Sequence, residues 1–300
     1  MASTYMNQVR SCLPRTTVSP ISFLPSLNEF NEHTCSACQV AGVYCVTQLR
    51  HTDWPDRLWI VRHGESAGNV ARDAAETQGL ELINVSTRDA DTPLSQLGHE
   101  QSSALAQWFA AKEHTERPNV LMCSPFVRAQ QTCGAVATAL GIDIEEIQTD
   151  ERLREKEFGI LDRHTRHGIF SKFPELAAQR ALVGKFYFRP PGGESWCDVI
   201  LRSRSIVEVL RRDHVEDRVL IVAHQVIVNC FRYLLECMDE EKILAIDREG
   251  DVPNCGITEY ALDRKLPDSR FALRTANLVL PLVEAGAPVT TAPDAPAGPK

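Results

Sequence analysis

Three apolar runs punctuate the chain, at residues 58–61 (Leu-Trp-Ile-Val), 120–123 (Val-Leu-Met-Cys) and 219–223 (Val-Leu-Ile-Val-Ala). Each is continuous rather than alternating, and each stops abruptly at polar residues. Such runs predict parallel strands covered on both faces. Between them the period lengthens to that of helices. Asp91-Thr92-Pro93-Leu94-Ser95 opens a helix to about Lys112, with Leu97, Leu105, Trp108 and Phe109 on its apolar side. A second helix follows Pro125 to about Leu140 and stops at Gly141. Residues 195–213 read as a helix with Ser195 as N-cap and Val199, Ile206, Val209 and Leu210 turned inward. Residues 226–237 back the third strand. Residues 257–262 alternate and predict a strand, and residues 271–274 pair with it antiparallel at the sheet edge. This alternation of strand and helix predicts an α/β fold, with a mostly parallel central sheet and helices on both faces.

The chemistry sits where the apolar runs end. The first delivers Arg62-His63-Gly64-Glu65-Ser66, with Asn69 three residues on. The second leads into Ser124-Pro125-Phe126-Val127-Arg128, and the third into His224-Gln225. Ligands bind outside the carboxyl ends of strands in open α/β sheets. An arginine fork matches phosphate oxygens, and an imidazole can attack phosphorus. Arg62, His63, Arg128 and His224 along one edge would form a compact cationic pocket. A phosphoryl group in transfer spreads negative charge over its equatorial oxygens, so such a pocket suits it. The leaving alkoxide needs a proton at neutral pH. The residues that could supply it cluster in the stretch 150–159, where pattern alone leaves Glu151, Glu155 and Glu157 open.

These motifs together resemble the histidine phosphatase superfamily, the phosphoglycerate-mutase-like proteins. The resemblance runs through Arg-His-Gly-Glu-Ser with Asn69, then Ser-Pro with Arg128 and Thr132, then Leu153-Arg154-Glu155 with Phe158-Gly159. It continues in Gly192-Gly193-Glu194-Ser195 and ends in Ala223-His224-Gln225, covering residues 56–262 in order. It implies a phosphoglycerate-mutase-like fold and His63 as the residue that becomes phosphohistidine. It also implies that Arg62, Asn69, Arg128 and His224 hold the phosphoryl group, and it matches the family's acid to Glu155. The expected activity is a phosphomonoesterase acting on a small phosphorylated metabolite, with no metal or organic cofactor because the pocket carries the needed positive charge. A phosphoglycerate mutase shares the first half-reaction. Mutases of the family resemble Glu-Arg-His-Tyr-Gly-Ala-Leu-Gln-Gly around the acid, whereas this chain has Glu155-Lys156-Glu157-Phe158-Gly159-Ile160-Leu161-Asp162. Fructose-2,6-bisphosphatase is a narrower alternative, suggested by His224-Gln225 and the Gly-Glu-Ser turn. A non-catalytic phosphate-binding protein is the alternative outside enzymes, and it would show loss of the nucleophile, an arginine or the acid; none is lost.

Composition changes this picture little. The chain has 300 residues with 43% hydrophobic and 24% charged, ordinary for a globular domain with a sizeable core. A net charge of −8 disfavours nucleic acid and anionic membranes as partners. No apolar stretch approaches the roughly 18 residues needed to span a bilayer. The ten cysteines spell no disulfide framework, and a reducing cytoplasm is the expected compartment. A homodimer is compatible with the sequence and has no signature in it. Residues 1–52 read as a disordered extension, since residues 1–28 hold no Asp or Glu and Pro14, Pro20 and Pro25 interrupt any helix. His33, Cys35, Cys38 and Cys45 within it are a weak zinc signal. The catalytic domain is expected over residues 53–283, and residues 284–300, rich in Ala and Pro, as a flexible tail. Residues 160–194 carry six Lys or Arg against three acids, read either as a solvated face or as a cationic lid for an anionic substrate.

Overall fold

The computed structural model describes residues 54–263 and 270–291. The whole extension with its cysteines, residues 264–269 and the last nine residues of the chain lie outside them. In chain order the elements are β1 (Arg57–Arg62), α1 (Ala67–Thr77), α2 (Gln96–Ala110), β2 (Val120–Cys123), α3 (Val127–Leu140), β3 (Gln148–Thr149), α4 (Arg166–Lys172), α5 (Pro174–Val183), α6 (Trp196–Asp213), β4 (Arg218–Ala223), α7 (Gln225–Leu235), α8 (Glu240–Glu249), β5 (Ile257–Asp263), β6 (Arg270–Leu278) and α9 (Leu280–Ala285).

The six strands form one sheet in the order β3-β2-β4-β1-β5-β6. β1 through β4 are mutually parallel, and β5 runs antiparallel to β1 and to β6. The three apolar runs of the sequence are therefore adjacent, as β2-β4-β1 at the centre of the sheet. Their side chains alternate between two cores. Leu58, Ile60, Val219 and Ile221 face α6 and α7, with Val199, Ile206, Leu210, Ile227 and Phe231 packed on them. Trp59, Val61, Leu220 and Val222 face α2 and α3, against Leu105, Phe109, Val136 and Ala137. Burial on both faces explains why these strands read as unbroken apolar runs.

Several elements depart from the expected bounds for identifiable reasons. The helix expected from Asp91 begins only after Ser95, whose side chain caps it at Gly98 N. Pro93 disfavours helical backbone at Thr92, which is extended, and Asp89–Asp91 form a separate short turn. In α6 it is Val207 that is buried beside Ile206, while Val209 is half-buried. β3 is two exposed residues long, too short for a periodic signal. The tail expected to be flexible from about Glu284 is instead held to the domain as far as Thr290. There Gln101 Nε2 donates to Pro288 O at 2.9 Å and to Thr290 Oγ1 at 3.0 Å, and Asn254 N donates to Thr290 O at 2.9 Å. Among the described residues no helix is long and apolar enough to cross a membrane.

Candidate active site

The tips of the three central strands are tied together just beyond their ladders. His63 N donates to Ala223 O and Ser124 N to Val222 O, both at 3.0 Å. The backbone of Arg62 and His63 is also gripped from the β5 side, by Cys255 N on Arg62 O and Asn254 Nδ2 on His63 O, each at 3.0 Å. Gly64 then lets this loop press onto α2. A Cβ there would sit 2.6 Å from Gly98 O, and a Cβ on Gly98 would sit 1.9 Å from Glu65 O. The glycine of the Arg-His-Gly string is thus required by close approach of two backbones.

His63 is fully buried, and its tautomer follows from its contacts. Nδ1 lies 2.6 Å from Gly64 O, and a carbonyl can only accept, so Nδ1 carries the proton. Nε2 is left with its lone pair and accepts from Arg128 Nε at 3.1 Å. The His224 ring stands edge-on to His63 with centroids 5.1 Å apart, and its Nε2 is 2.8 Å from Ser124 Oγ. His224 is also the residue before the first turn of α7, where the helix dipole favours a bound anion. Phe126 closes one side, edge-on to His224 and beneath the Arg128 guanidinium. Thr132 couples the two halves: its hydroxyl accepts from Gly64 N at 3.0 Å and donates to Arg128 O at 2.9 Å.

His63 thus touches both Arg128 and His224, and so does Phe126. Arg62, the residue before His63, is also fully buried and donates from Nη1 to Val252 O at 2.6 Å. Asn69 is buried, and its Oδ1 accepts from Ser66 N at 2.9 Å in a capping box that starts α1. That fixes the helix which follows the Arg62-His63 loop. Glu65 accepts from Ser95 Oγ at 2.6 Å, pinning the start of α2.

Burial distinguishes the three glutamates of the acidic cluster. Glu151 is exposed, and Glu157 lies mostly toward solvent near Arg154, but Glu155 is buried with Oε1 accepting from Lys156 N at 2.7 Å. Its backbone is clamped by Arg202 of α6, which donates to Arg152 O at 2.5 Å and Glu155 O at 3.1 Å. Glu194 holds Arg202 in turn, accepting from its Nε at 2.9 Å, from Arg154 and from Glu157 N. Glu194 therefore fixes the acidic loop, a role its sequence context did not reveal. Ser195 does cap α6 as expected, in a capping box with Asp198. Burial pushes the Lys156 ammonium down to about 8 against the pull of the Glu155 carboxylate beside it. Its Nζ rests 4.2 Å from the Phe158 ring centroid. Partial desolvation raises the Glu157 and Asp162 carboxyls, although both side chains reach solvent, and Asp89 raises Asp162 further.

A concavity of about 460 Å³, open to solvent, adjoins Arg128. Ser66, Arg72, Asp89, Asp162 and Arg163 bring polar groups to it, and Ile83 and Val85 apolar ones. Sequence reasoning missed Arg72, Asp89 and Asp162. Arg72 follows Asn69 by three residues and so shares its helix face, the one signal that could have found it. The basic segment 160–194 is not one surface. Lys185 is ion-paired with Asp247, Arg189 with Asp198 and Lys172 with Glu81, whereas Arg163 lines the concavity. Of the six basic residues of the segment, three are thus held in ion pairs and Arg163 borders the concavity. Among the described residues no group of His, Cys, Asp and Glu is arranged to hold a metal ion.

Comparison with known proteins adds the family to this geometry. Residues 58–271 match the model of the histidine phosphatase superfamily, branch 1. The chain belongs to the histidine phosphatase superfamily. Among its relatives is a Caenorhabditis elegans 6-phosphofructo-2-kinase/fructose-2,6-bisphosphatase, 31% identical over 177 residues, 59% of this chain but 33% of the nematode protein. Another is a probable phosphoglycerate mutase GpmB of Photorhabdus laumondii, 30% identical over 174 residues, 58% of this chain and 72% of that one. The chain thus spans about a third of the first relative's length. Among solved structures, mycobacterial glucosyl-3-phosphoglycerate phosphatase superposes with a TM-score of 0.57 at 25% identity, covering 74% of this chain and 98% of that one.

Proposed function

We propose that the protein is a phosphomonoesterase that works through phosphohistidine at His63 on a small phosphorylated metabolite. The observation that carries this reading is the pairing of a fixed Nδ1 proton with an Nε2 lone pair directed at Arg128. Nε2 attacks phosphorus, the ester P–O bond breaks, and Glu155 passes its proton to the departing oxygen. Arg62, Asn69, Arg128 and His224 hold the phosphoryl oxygens through the transfer. Water then attacks the phosphohistidine and gives a proton to the Glu155 carboxylate, which releases inorganic phosphate and restores the Nε2 lone pair.

The hydrolase direction is supported by the acid loop, whose Glu155-Lys156-Glu157-Phe158-Gly159 departs from the mutase string. It is also supported by the likeness to the mycobacterial phosphatase. The mutase reading draws on the relative described as a probable phosphoglycerate mutase. The free cysteines among the described residues fit a reducing cytoplasm. A panel of phosphorylated metabolites, scored by release of inorganic phosphate, tests the reading. It should include fructose 2,6-bisphosphate, and 3-phosphoglycerate with and without 2,3-bisphosphoglycerate. Phosphate release from a monoester supports it. Isomerisation of 3-phosphoglycerate without net phosphate release would replace it with a mutase.

A further inference from the structure

Arg128 makes a contact that phosphoryl transfer does not require. Its guanidinium is almost fully enclosed, at 2% exposure, and it turns two of its three nitrogens toward Asp89. Nη1 donates to Asp89 O at 2.6 Å and lies 3.1 Å from Asp89 Oδ1, while Nη2 donates to Asp89 Oδ2 at 3.1 Å. The remaining nitrogen, Nε, faces the nucleophile. The edge of the guanidinium that should meet phosphoryl oxygens is therefore covered by a carboxylate of the same chain.

The two partners differ in how firmly they are held. Arg128 is fixed inside α3, over Phe126 and beside His63. Asp89 is 48% exposed and sits in the short turn Asp89–Asp91 between α1 and α2. Flanking residues tie this turn to the segment after the acidic loop. Ile83 N donates to Arg163 O at 2.8 Å, and Arg163 Nη2 to Thr87 O at 2.7 Å. The arm is thus anchored just before Asp89, and beyond it Leu94 N donates to Gln131 Oε1 at 2.8 Å, while the Asp89 carboxylate between them is half exposed.

We propose that Asp89 is a displaceable stand-in for phosphate on Arg128, a residue that sets how strongly the site must bind an anion before it engages. This rests on the reading that Arg128 binds the phosphoryl group. A buried guanidinium needs an anionic partner. Asp89 supplies one charge through a half-exposed side chain. A phosphate ester dianion supplies more charge and matches the fork bidentately. A substrate phosphoryl group therefore displaces Asp89, whereas weaker anions compete poorly. The same competition speeds release of inorganic phosphate, because the carboxylate returns as the product leaves. Asp89 also lines the concavity next to Arg128. Once displaced, it stands where the alcohol half of the substrate lies, and there it favours hydroxyl donors over a second anionic group.

The test uses the full chain and inorganic phosphate as the probe, titrated calorimetrically against wild type, Asp89→Asn and Asp89→Ala. The asparagine keeps the shape and removes the charge, and melting curves confirm that both variants fold. The expected result is phosphate binding tighter by on the order of tenfold, the equivalent of one charged hydrogen bond of about 1.4 kcal/mol. KM for a monoester should fall with it, while kcat does not rise. Unchanged or weaker phosphate binding in the folded Asp89→Asn variant overturns the proposal and makes Asp89 a positioning residue for Arg128. The same titrations in a His63→Ala background separate this idea from the activity. If Asp89→Asn still tightens phosphate there but wild type forms no phosphoenzyme, the catalytic reading fails and the stand-in holds. If wild type forms phosphoenzyme and Asp89→Asn binds no tighter, only the stand-in fails. No phosphate binding by any form overturns both.

Discussion

The floor of the site and its wall are built by different rules. The floor consists of the tips of β1, β2 and β4, where Arg62, His63 and Ser124 are fixed by backbone hydrogen bonds to neighbouring segments and His224 opens α7. The wall consists of residues 80–92 and 150–163, loops and short turns held by side chains such as Arg163, Arg202 and Glu194. The floor has few degrees of freedom, since moving one tip breaks the sheet. The wall is an assembly of ion pairs and caps, each replaceable without loss of the core. Chemistry common to a superfamily belongs on the first, and choice of substrate on the second.

The largest effect that can break this division lies at Glu155, the wall residue assigned to catalysis. Glu155→Gln should cut turnover of alkyl phosphates by on the order of 10²–10⁴-fold, the range of general acid catalysis. Aryl phosphates with an acidic leaving phenol should lose much less in the phosphorylation step. Equal losses for both ester classes in that step would show that Glu155 is not the acid and would move attention to Glu157 and Glu151.

Next in size is Lys185, which charge counting assigns equally to an open lid and to a solvated face. Its pairing with buried Asp247 predicts a third outcome. Lys185→Glu should lower stability by about 3 kcal/mol or more, because it leaves Asp247 buried beside a like charge. KM for anionic substrates in the folded fraction should change little. A stable variant with a raised KM for multiply charged substrates would restore the lid.

Legibility in the sequence follows the same line between floor and wall. The three central strands show as apolar runs because both faces are buried, and their polar ends stand out by contrast. Ser195, Gly141 and the helix from Ser195 could be read because caps have local signatures. Asp89, Arg72 and Glu194 could not. Each takes its meaning from a partner far along the chain, Asp89 from Arg128 and Glu194 from Arg154 and Arg202. The stretch 284–291 was misjudged because its composition is that of a tail, while Thr290 is held by Gln101 and Asn254. Pattern does not separate Glu155 from Glu151 and Glu157; the family resemblance points to Glu155, which is the buried one of the three.

The smallest expected effect concerns Lys156. Its folded value of about 8 lies below the ordinary 10.5. The folded chain therefore gives up this proton before the unfolded chain does, and stability rises with pH between the two values. Lys156→Met should flatten that rise, read as the difference in urea midpoint on either side of the window. An unchanged slope would mean that the ammonium is better solvated than its burial implies.

The most direct measurement is of the covalent intermediate itself. Wild type mixed with a radiolabelled phosphomonoester and quenched within the first turnover should yield protein-bound label that is acid-labile and base-stable, on a peptide containing His63. His63→Ala should fold, carry no label and turn over no substrate. Label on another residue, or phosphate release at an undiminished rate by His63→Ala, would contradict the assignment of His63 as the nucleophile.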